Sequence, residues 1–362
     1  MQRHIRNPIL IASRGLDPVG TGRQVELVAC GLRDAGRDVH VAVTSVGGSL
    51  AERLRACGVS VHVVGRRPSP DVAAAIRFVG LARRLRPGVA VSFGGRQQGM
   101  VAAVGLVVPR VRTVAHVGVP PRSPRACRVL RRMDRVVAAS EGVAEGCRRA
   151  GLAAGRTMVV PPGTVADPGT GLARVEVATR LGLDPACRWT LSVADLVGES
   201  RLERLIWGID QLGVVRKDLQ HVLVGAGPQL TRVRRRARVQ ELAERLFVVP
   251  HCDIISDLVR EAAMVWQSGR SACGGVILDA MAVGVPAVAV ASDAARQLIV
   301  SGETGWVVPS VPESEFPRRA FTLLEDASLA ERCAVAARQR AIEAFPADRM
   351  VSGVIAAIDG VA

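Results

Sequence analysis

The sequence has no tyrosine, six phenylalanines and four tryptophans, so aromatic residues make up only 3% of its 362 positions. Binding of single-stranded nucleic acid needs aromatic faces at close intervals, and neither that spacing nor a recognition motif is present. Lysine is almost missing as well: Lys217 is the single lysine among 48 basic residues. A skew of that kind runs through the whole chain and reads as coding bias. The eight cysteines (Cys30, Cys57, Cys127, Cys147, Cys187, Cys252, Cys273, Cys333) form no C-x-x-C pair and no matching histidine spacing. A zinc site and a disulfide framework are therefore not indicated, and most of these thiols read as small core residues. Long apolar runs are absent too. Stretches 100–109 and 283–291 are far shorter than the roughly 20 residues needed to cross a bilayer, and both carry Gly or Pro. Arg14 and Asp17 interrupt any leader-like run near the start, so the expectation is a cytoplasmic protein.

What is present is enough apolar content, 49%, for two hydrophobic cores in a chain too long for one. Short β-branched runs alternate with amphipathic stretches throughout, the pattern of parallel strands joined by crossover helices. Strands are expected at 8–12, 39–44, 59–64, 89–92, 113–117, 135–139 and 158–160, with a helix over 23–35 that places Val25, Leu27, Val28 and Leu32 on one side. A turn-rich segment at 161–171, with three glycines and three prolines, then breaks the rhythm and reads as a linker. Beyond it, strands are expected at 189–193, 221–224, 246–249, 264–266 and 285–290. The fold class is α/β with two doubly wound domains, 1–165 and 166–345, followed by a helix at 346–362 that packs back on the first. Ligands of such sheets bind beyond the carboxyl ends of the strands, so two facing sheets would frame a cleft.

Charge is divided unevenly. Residues 1–165 hold 26 arginines against nine acidic residues, a net of +17, whereas the remainder holds 22 basic against 24 acidic residues, a net of −2. The densest cluster runs from Arg122 to Arg135 and reads as a short basic helix whose apolar content is Val129, Leu130 and Met133. Peripheral contact with an anionic membrane face and a solvated arginine-rich surface are both compatible with it.

Three motifs carry the chemical reading. Leu223-Val-Gly-Ala-Gly-Pro228 takes a strand into a Gly-rich turn, where backbone at Gly225 and Gly227 can approach a ligand closely. Ser268-Gly-Arg-Ser-Ala-Cys-Gly-Gly-Val-Ile-Leu-Asp-Ala-Met-Ala-Val-Gly-Val-Pro-Ala-Val-Ala-Val290 follows, and then Gly302-Glu-Thr-Gly-Trp-Val-Val-Pro309. This order strongly resembles the C-terminal domain of family-four GT-B glycosyltransferases (glycosyl transferases group 1). The likeness is good over 188–309 and looser in the first half. There Gly20-Thr21-Gly22 resembles the acceptor-side loop, and Thr113-Val-Ala-His116 resembles a strand ending in the catalytic-site histidine.

The resemblance implies two Rossmann-like domains facing across a cleft, a nucleotide-sugar donor, a glycan or lipid-linked acceptor of the cell envelope or elsewhere, and retention of configuration. It implies no metal or other cofactor, and no nucleic-acid partner. Gly274, Gly275 and Val276 would present backbone amides and a helix start to the diphosphate. A branched side chain at Gly274 is expected to block that approach without unfolding the protein; close strand-to-helix packing is the other reading of the same glycines. The family's acidic pair falls on Ser271 and Asp279. Asp279 can still bond a ribose, whereas Ser271 loses the charge-assisted bonds of a carboxylate. The cationic clamp, Gly-Arg-Leu-x-x-x-Lys-Gly in the family, falls on 194–201 and puts Asp195 and Ser200 where Arg and Lys are expected. Arg201, Arg204 and Arg270 are candidate substitutes or simply solvated arginines. His116 is either the catalytic-site imidazole or a structural histidine, while His221 and Glu303 read as strand and turn residues. An enzyme with an altered donor clamp is thus the leading reading, and a degenerate relative acting as a nucleotide-, glycan- or protein-binding module is the alternative. An epimerase or phosphorylase of the same architecture is more distant.

Overall fold

The computed structural model describes residues 7–44, 48–65, 72–166, 169–269 and 274–361. They fall into two compact units, Met1–Gly163 together with Phe345–Ala362, and Thr164–Ala344. The first unit is built on seven parallel strands: β1 (Ile9–Ser13), β2 (Val39–Val43), β3 (Ser60–Val63), β4 (Val89–Phe93), β5 (Arg112–Val117), β6 (Arg135–Ala138) and β7 (Thr157–Val159). Their order is β3-β2-β1-β4-β5-β6-β7. The central strands read as unbroken apolar runs because helices cover both faces, and every residue of β1 and β4 is buried.

Helix Thr21–Asp34 buries Val25, Val28, Ala29 and Leu32 against this sheet. It begins two residues before the sequence pattern suggests, because the chain turns at Gly20, whose φ is 59°. Helix Ala347–Asp359 adds Met350, Val354, Ala357 and Ile358 to the same core. It lies on helix Thr21–Asp34 at Gly31, where a Cβ would sit 2.5 Å from the Val351 side chain. Arg37 pairs with Asp359 at the far end. Gln24 hydrogen-bonds both backbone groups of Gly163, accepting from its N–H at 3.0 Å and donating to its carbonyl at 2.8 Å. That two-point contact pins the end of the first unit's chain before it leaves for the second.

The second unit has six parallel strands: β8 (Arg188–Val193), β9 (Leu219–Val224), β10 (Leu246–Val249), β11 (Met264–Gln267), β12 (Ala287–Val290) and β13 (Gly305–Val308), in the order β10-β9-β8-β11-β12-β13. The sequence pattern suggests five. The sixth, β13, is four residues long and enclosed by Gly302, Gly305 and Pro309, which read locally as turn; its place is set by β12, since a Cβ on Gly305 would lie 2.3 Å from the Ala287 carbonyl. The core gathers around Trp266 and Phe316, whose rings meet edge to face at 5.0 Å.

Part of the turn-rich segment belongs firmly to this unit. Asp257, fully buried, accepts hydrogen bonds from the N–H groups of Thr170, Gly171 and Leu172 and from the Thr170 hydroxyl, at 2.9 to 3.3 Å. Four donors converge on one carboxylate, and Gly169 passes close enough that a Cβ there would meet Asp257 Oδ1 at 2.5 Å.

Candidate functional site

In each sheet the chain winds outward from one strand and then restarts on that strand's other side, which leaves a crevice at the carboxyl ends where the crossovers diverge. In the second unit this point lies between β8 and β11. The segment after β8 is 194–201, and the segment after β11 begins Ser268-Gly269. Both hold the sequence-predicted donor residues, so topology alone brings the clamp positions and the Gly-rich stretch to one edge of one sheet.

Local packing shows how tightly the loops of this edge are joined. Leu196 N–H donates to the Ala226 carbonyl at 3.1 Å, and Ala194 N–H donates to Val224 at 3.1 Å. A Cβ on Gly225 would lie 1.9 Å from the Ala194 carbonyl, and one on Gly227 would lie 2.5 Å from the Leu196 carbonyl. The close approach that requires these two glycines is therefore made to the chain's own backbone. Gly269 behaves alike, with a would-be Cβ 2.4 Å from the Glu199 carbonyl, and the Ser268 hydroxyl donates to the Ser200 carbonyl at 2.8 Å. Ser268 and Gly269, which open the second motif, are thus structural partners of the clamp loop.

The two clamp positions differ. Asp195 is exposed, whereas Ser200 is buried and its hydroxyl donates to the Asp195 carbonyl. Ser200 is a fastening inside the loop, so a lysine there has to leave a closed position. Arg201 follows in the left-handed region, φ 49° and ψ 46°. The family pattern has Gly at this place, so the backbone keeps the glycine conformation with an arginine in it, at a strain of about 1–2 kcal/mol. Its side chain is exposed. Arg204 is already engaged, donating to the Ser310 carbonyl at 2.9 Å and to Glu313 at 3.0 Å. Arg270 and Ser271 lie outside the described residues.

Gly274 and Gly275 both have positive φ, 76° and 56°. A Cβ on Gly274 would stand 2.1 Å from Leu298 Cδ1. A branched residue there, expected to block the diphosphate without unfolding the protein, also strains the backbone and displaces the Leu298 side chain. Val276 is buried and caps helix Ile277–Ala282, a helix of six residues with half-buried Asp279 in its first turn.

In the first unit the crossovers diverge between β1 and β4. Gly20-Thr21-Gly22 follows β1, and Gly22 packs so closely that a Cβ would lie 2.2 Å from the Asp17 carbonyl. Gly94, with φ 103°, follows β4 and precedes Gln97, whose amide donates to the Thr44 hydroxyl at 2.6 Å. The Gly94-Gly95 turn was not singled out from sequence, although a glycine pair directly after an apolar strand is its signal. His116 lies on β5 opposite Phe93, with the two rings stacked at 4.5 Å. Burial pushes its pKa down to about 4, so the imidazole is neutral at physiological pH and can share a hydrogen bond but not supply a charge. His221 is a core residue, bonded through Nδ1 to the Thr190 hydroxyl at 2.8 Å, and burial lowers its pKa to about 3.

Two family descriptions cover most of this framework: Glycosyltransferase Family 4 matches residues 18–167 and Glycosyl transferases group 1 matches residues 181–340. The chain belongs to the family-four-like GT-B glycosyltransferases. Among curated relatives, an N-acetyl-alpha-D-glucosaminyl L-malate synthase of Bacillus anthracis is 26% identical over 140 residues, 38% of this chain and 37% of the relative. An alpha-D-kanosaminyltransferase of Streptomyces kanamyceticus is 30% identical over 171 residues, 46% of this chain and 44% of the relative. The chain thus aligns with less than half the length of either. The Anabaena protein Alr3699/HepE, solved in complex with UDP-glucose, superposes with a TM-score of 0.79 over 98% of this chain and 99% of that one at 18% identity, a likeness of fold. Among the described residues no helix is long and apolar enough to cross a membrane.

Proposed function

We propose that the protein transfers a hexosyl group from a nucleotide sugar to a glycan or lipid-linked acceptor, with retention of configuration. The observation that carries this reading is the second unit's switch point, where 194–201, the Gly225–Gly227 turn and Ser268-Gly269 are fastened into one edge beside the Gly274-Gly275 turn. A preorganised backbone edge of this kind lowers the cost of holding a diphosphate. Asp279 bonds the nucleotide ribose, and neutral His116 is the first unit's candidate for the catalytic-site imidazole. A uridine diphosphate sugar is the first donor to test, because the same fold in Anabaena holds UDP-glucose. No metal is assigned a part.

The clamp supports a second reading. An exposed carboxylate at Asp195 repels a diphosphate, and buried Ser200 does not neutralise it, as suits a relative that binds a nucleotide without turning it over. Incubation with a panel of nucleotide sugars, followed by assay of released nucleoside diphosphate, separates the two. Release above the buffer rate, rising with added acceptor glycan, supports the transferase; binding with no release from any donor overturns it in favour of the binding module.

The lipid-linked form of the acceptor draws on the first unit's charge. Arg122, Arg125, Arg128, Arg131 and Arg132 are all exposed around helix Pro124–Leu130, while Leu130 and Met133 point into the core. Such a face gains about 1 kcal/mol per basic residue at an anionic membrane. Salt-sensitive sedimentation with anionic but not neutral vesicles is expected, and equal binding after Arg125, Arg128 and Arg132 are changed to Gln contradicts this part.

A further inference from the structure

The first unit carries a cysteine pair that the donor-site chemistry does not use. Cys30 lies on helix Thr21–Asp34, and Cys57 immediately follows helix Leu50–Ala56. Each helix connects consecutive strands on the same side of one parallel sheet, so the two run in the same direction. They are held in register by an ion pair between Glu26 and Arg53 at 2.7 Å. One helical turn further on, four residues along in each helix, stand Cys30 and Cys57. The Cys57 thiol is near enough to Cys30 to act on its ionisation, second only to burial. Next in the chain, Gly58 sits over the same helix, since a Cβ there would be 3.1 Å from Arg33 Nε. Two contacts, one on either side of the cysteines, thus align the helices along a common seam with Cys30 and Cys57 between them.

We propose that Cys30 and Cys57 form a reversible redox site, a dithiol that closes to a disulfide when a low-molecular-weight disulfide is the oxidant. The two thiols have unequal roles. Cys57 is exposed and Cys30 half-buried. Burial first, and the neighbouring Cys57 thiol second, hold Cys30 well above the ordinary thiol range. Cys57 is therefore the attacking group. Its thiolate attacks one sulfur of the oxidant, forming a mixed disulfide and releasing one thiolate. The Cys30 sulfur then attacks the Cys57 sulfur and expels the second oxidant fragment, which leaves with the Cys30 proton as a thiol. Two cysteines are oxidised and one small disulfide is reduced to two thiols. The new bond ties helix Thr21–Asp34, whose first turn carries Thr21 and Gly22, to helix Leu50–Ala56.

The test treats the full chain with oxidised glutathione under native conditions, blocks remaining thiols, and maps disulfides by peptide mass spectrometry. A Cys30–Cys57 cross-linked peptide is expected, lost again on adding dithiothreitol, with slower hydrogen exchange in helix Thr21–Asp34 of the oxidised form. In Cys30→Ser, glutathione is expected to remain attached at Cys57, because the resolving thiol is gone. In Cys57→Ser neither cross-link nor adduct at Cys30 is expected. A wild-type protein that carries glutathione at Cys57 without the cross-link, or that keeps both thiols reduced, overturns the proposal.

Discussion

Replacing Gly225 by alanine tests whether the donor-site edge is built as described. The added Cβ would be 1.9 Å from the Ala194 carbonyl, where real contacts below 3.0 Å essentially never occur, so the two loops must part by more than about 1 Å. Two backbone hydrogen bonds depend on their closeness: Ala194 N–H to Val224 and Leu196 N–H to Ala226, both at 3.1 Å. Losing them costs about 0.5–1.5 kcal/mol each. The φ of 153°, which only glycine adopts readily, adds about 1–3 kcal/mol. The expected loss is about 3 kcal/mol or more, a large share of a typical domain's roughly 5–15 kcal/mol. All four tryptophans, Trp189, Trp207, Trp266 and Trp306, lie in the second unit, so their emission during urea unfolding follows that unit alone. Gly198→Ala is the control from the same loop: nothing lies within 4 Å of its would-be Cβ, and a change below about 0.5 kcal/mol is expected. Equal stability of Gly225→Ala and wild type would refute the close packing of the two loops.

Asp257→Ala leaves four donors of the 170–172 segment without their shared acceptor, and a loss of about 3–5 kcal/mol is expected, read by tryptophan emission and by protease cleavage near Thr170. Asp195→Arg replaces a repelling charge by an attracting one at an exposed position; nucleoside diphosphate affinity should rise about 10- to 100-fold by calorimetry, and an unchanged value in the folded variant places the diphosphate elsewhere. The second unit should lose stability as pH falls. His221 has a folded pKa of about 3 against an ordinary value of 6.5, so protons bind the unfolded chain first; its contribution is whole above pH 6.5 and declines below it by about 1.4 kcal/mol per pH unit. His221→Asn should flatten the slope between pH 6.5 and 5, and an unaltered slope contradicts this assignment.

Most of the fold is legible in the sequence because β-branched runs and amphipathic helices alternate without interruption, and the strands suggested by that pattern lie within a residue or two of those observed. What escaped was decided at a distance. The strand β13 is recognised by β12, not by its own glycine-bounded residues. The motif residues Gly225 and Gly227 were identifiable as close-approach glycines, but the sequence does not say that the approaching atoms are the carbonyls of Ala194 and Leu196. Asp257 looks like an ordinary helical aspartate until the 169–172 segment folds onto it. Ser200 aligns with a cationic position, yet its neighbours bury it. Cys30 and Cys57 meet only because their helices share a sheet face.

The central claim is that a nucleotide sugar docks at the carboxyl edge of the second sheet, at the β8 and β11 switch point. Hydrogen exchange of the full chain with and without UDP, UDP-glucose and the corresponding guanosine, adenosine and thymidine nucleotides tests it most directly. At least one of them should slow exchange at 194–201, 225–229 and 274–279 together, while 230–239, on the helix beyond the turn, stays unchanged. Protection confined to other segments, or no protection by any nucleotide at millimolar concentration, would contradict it.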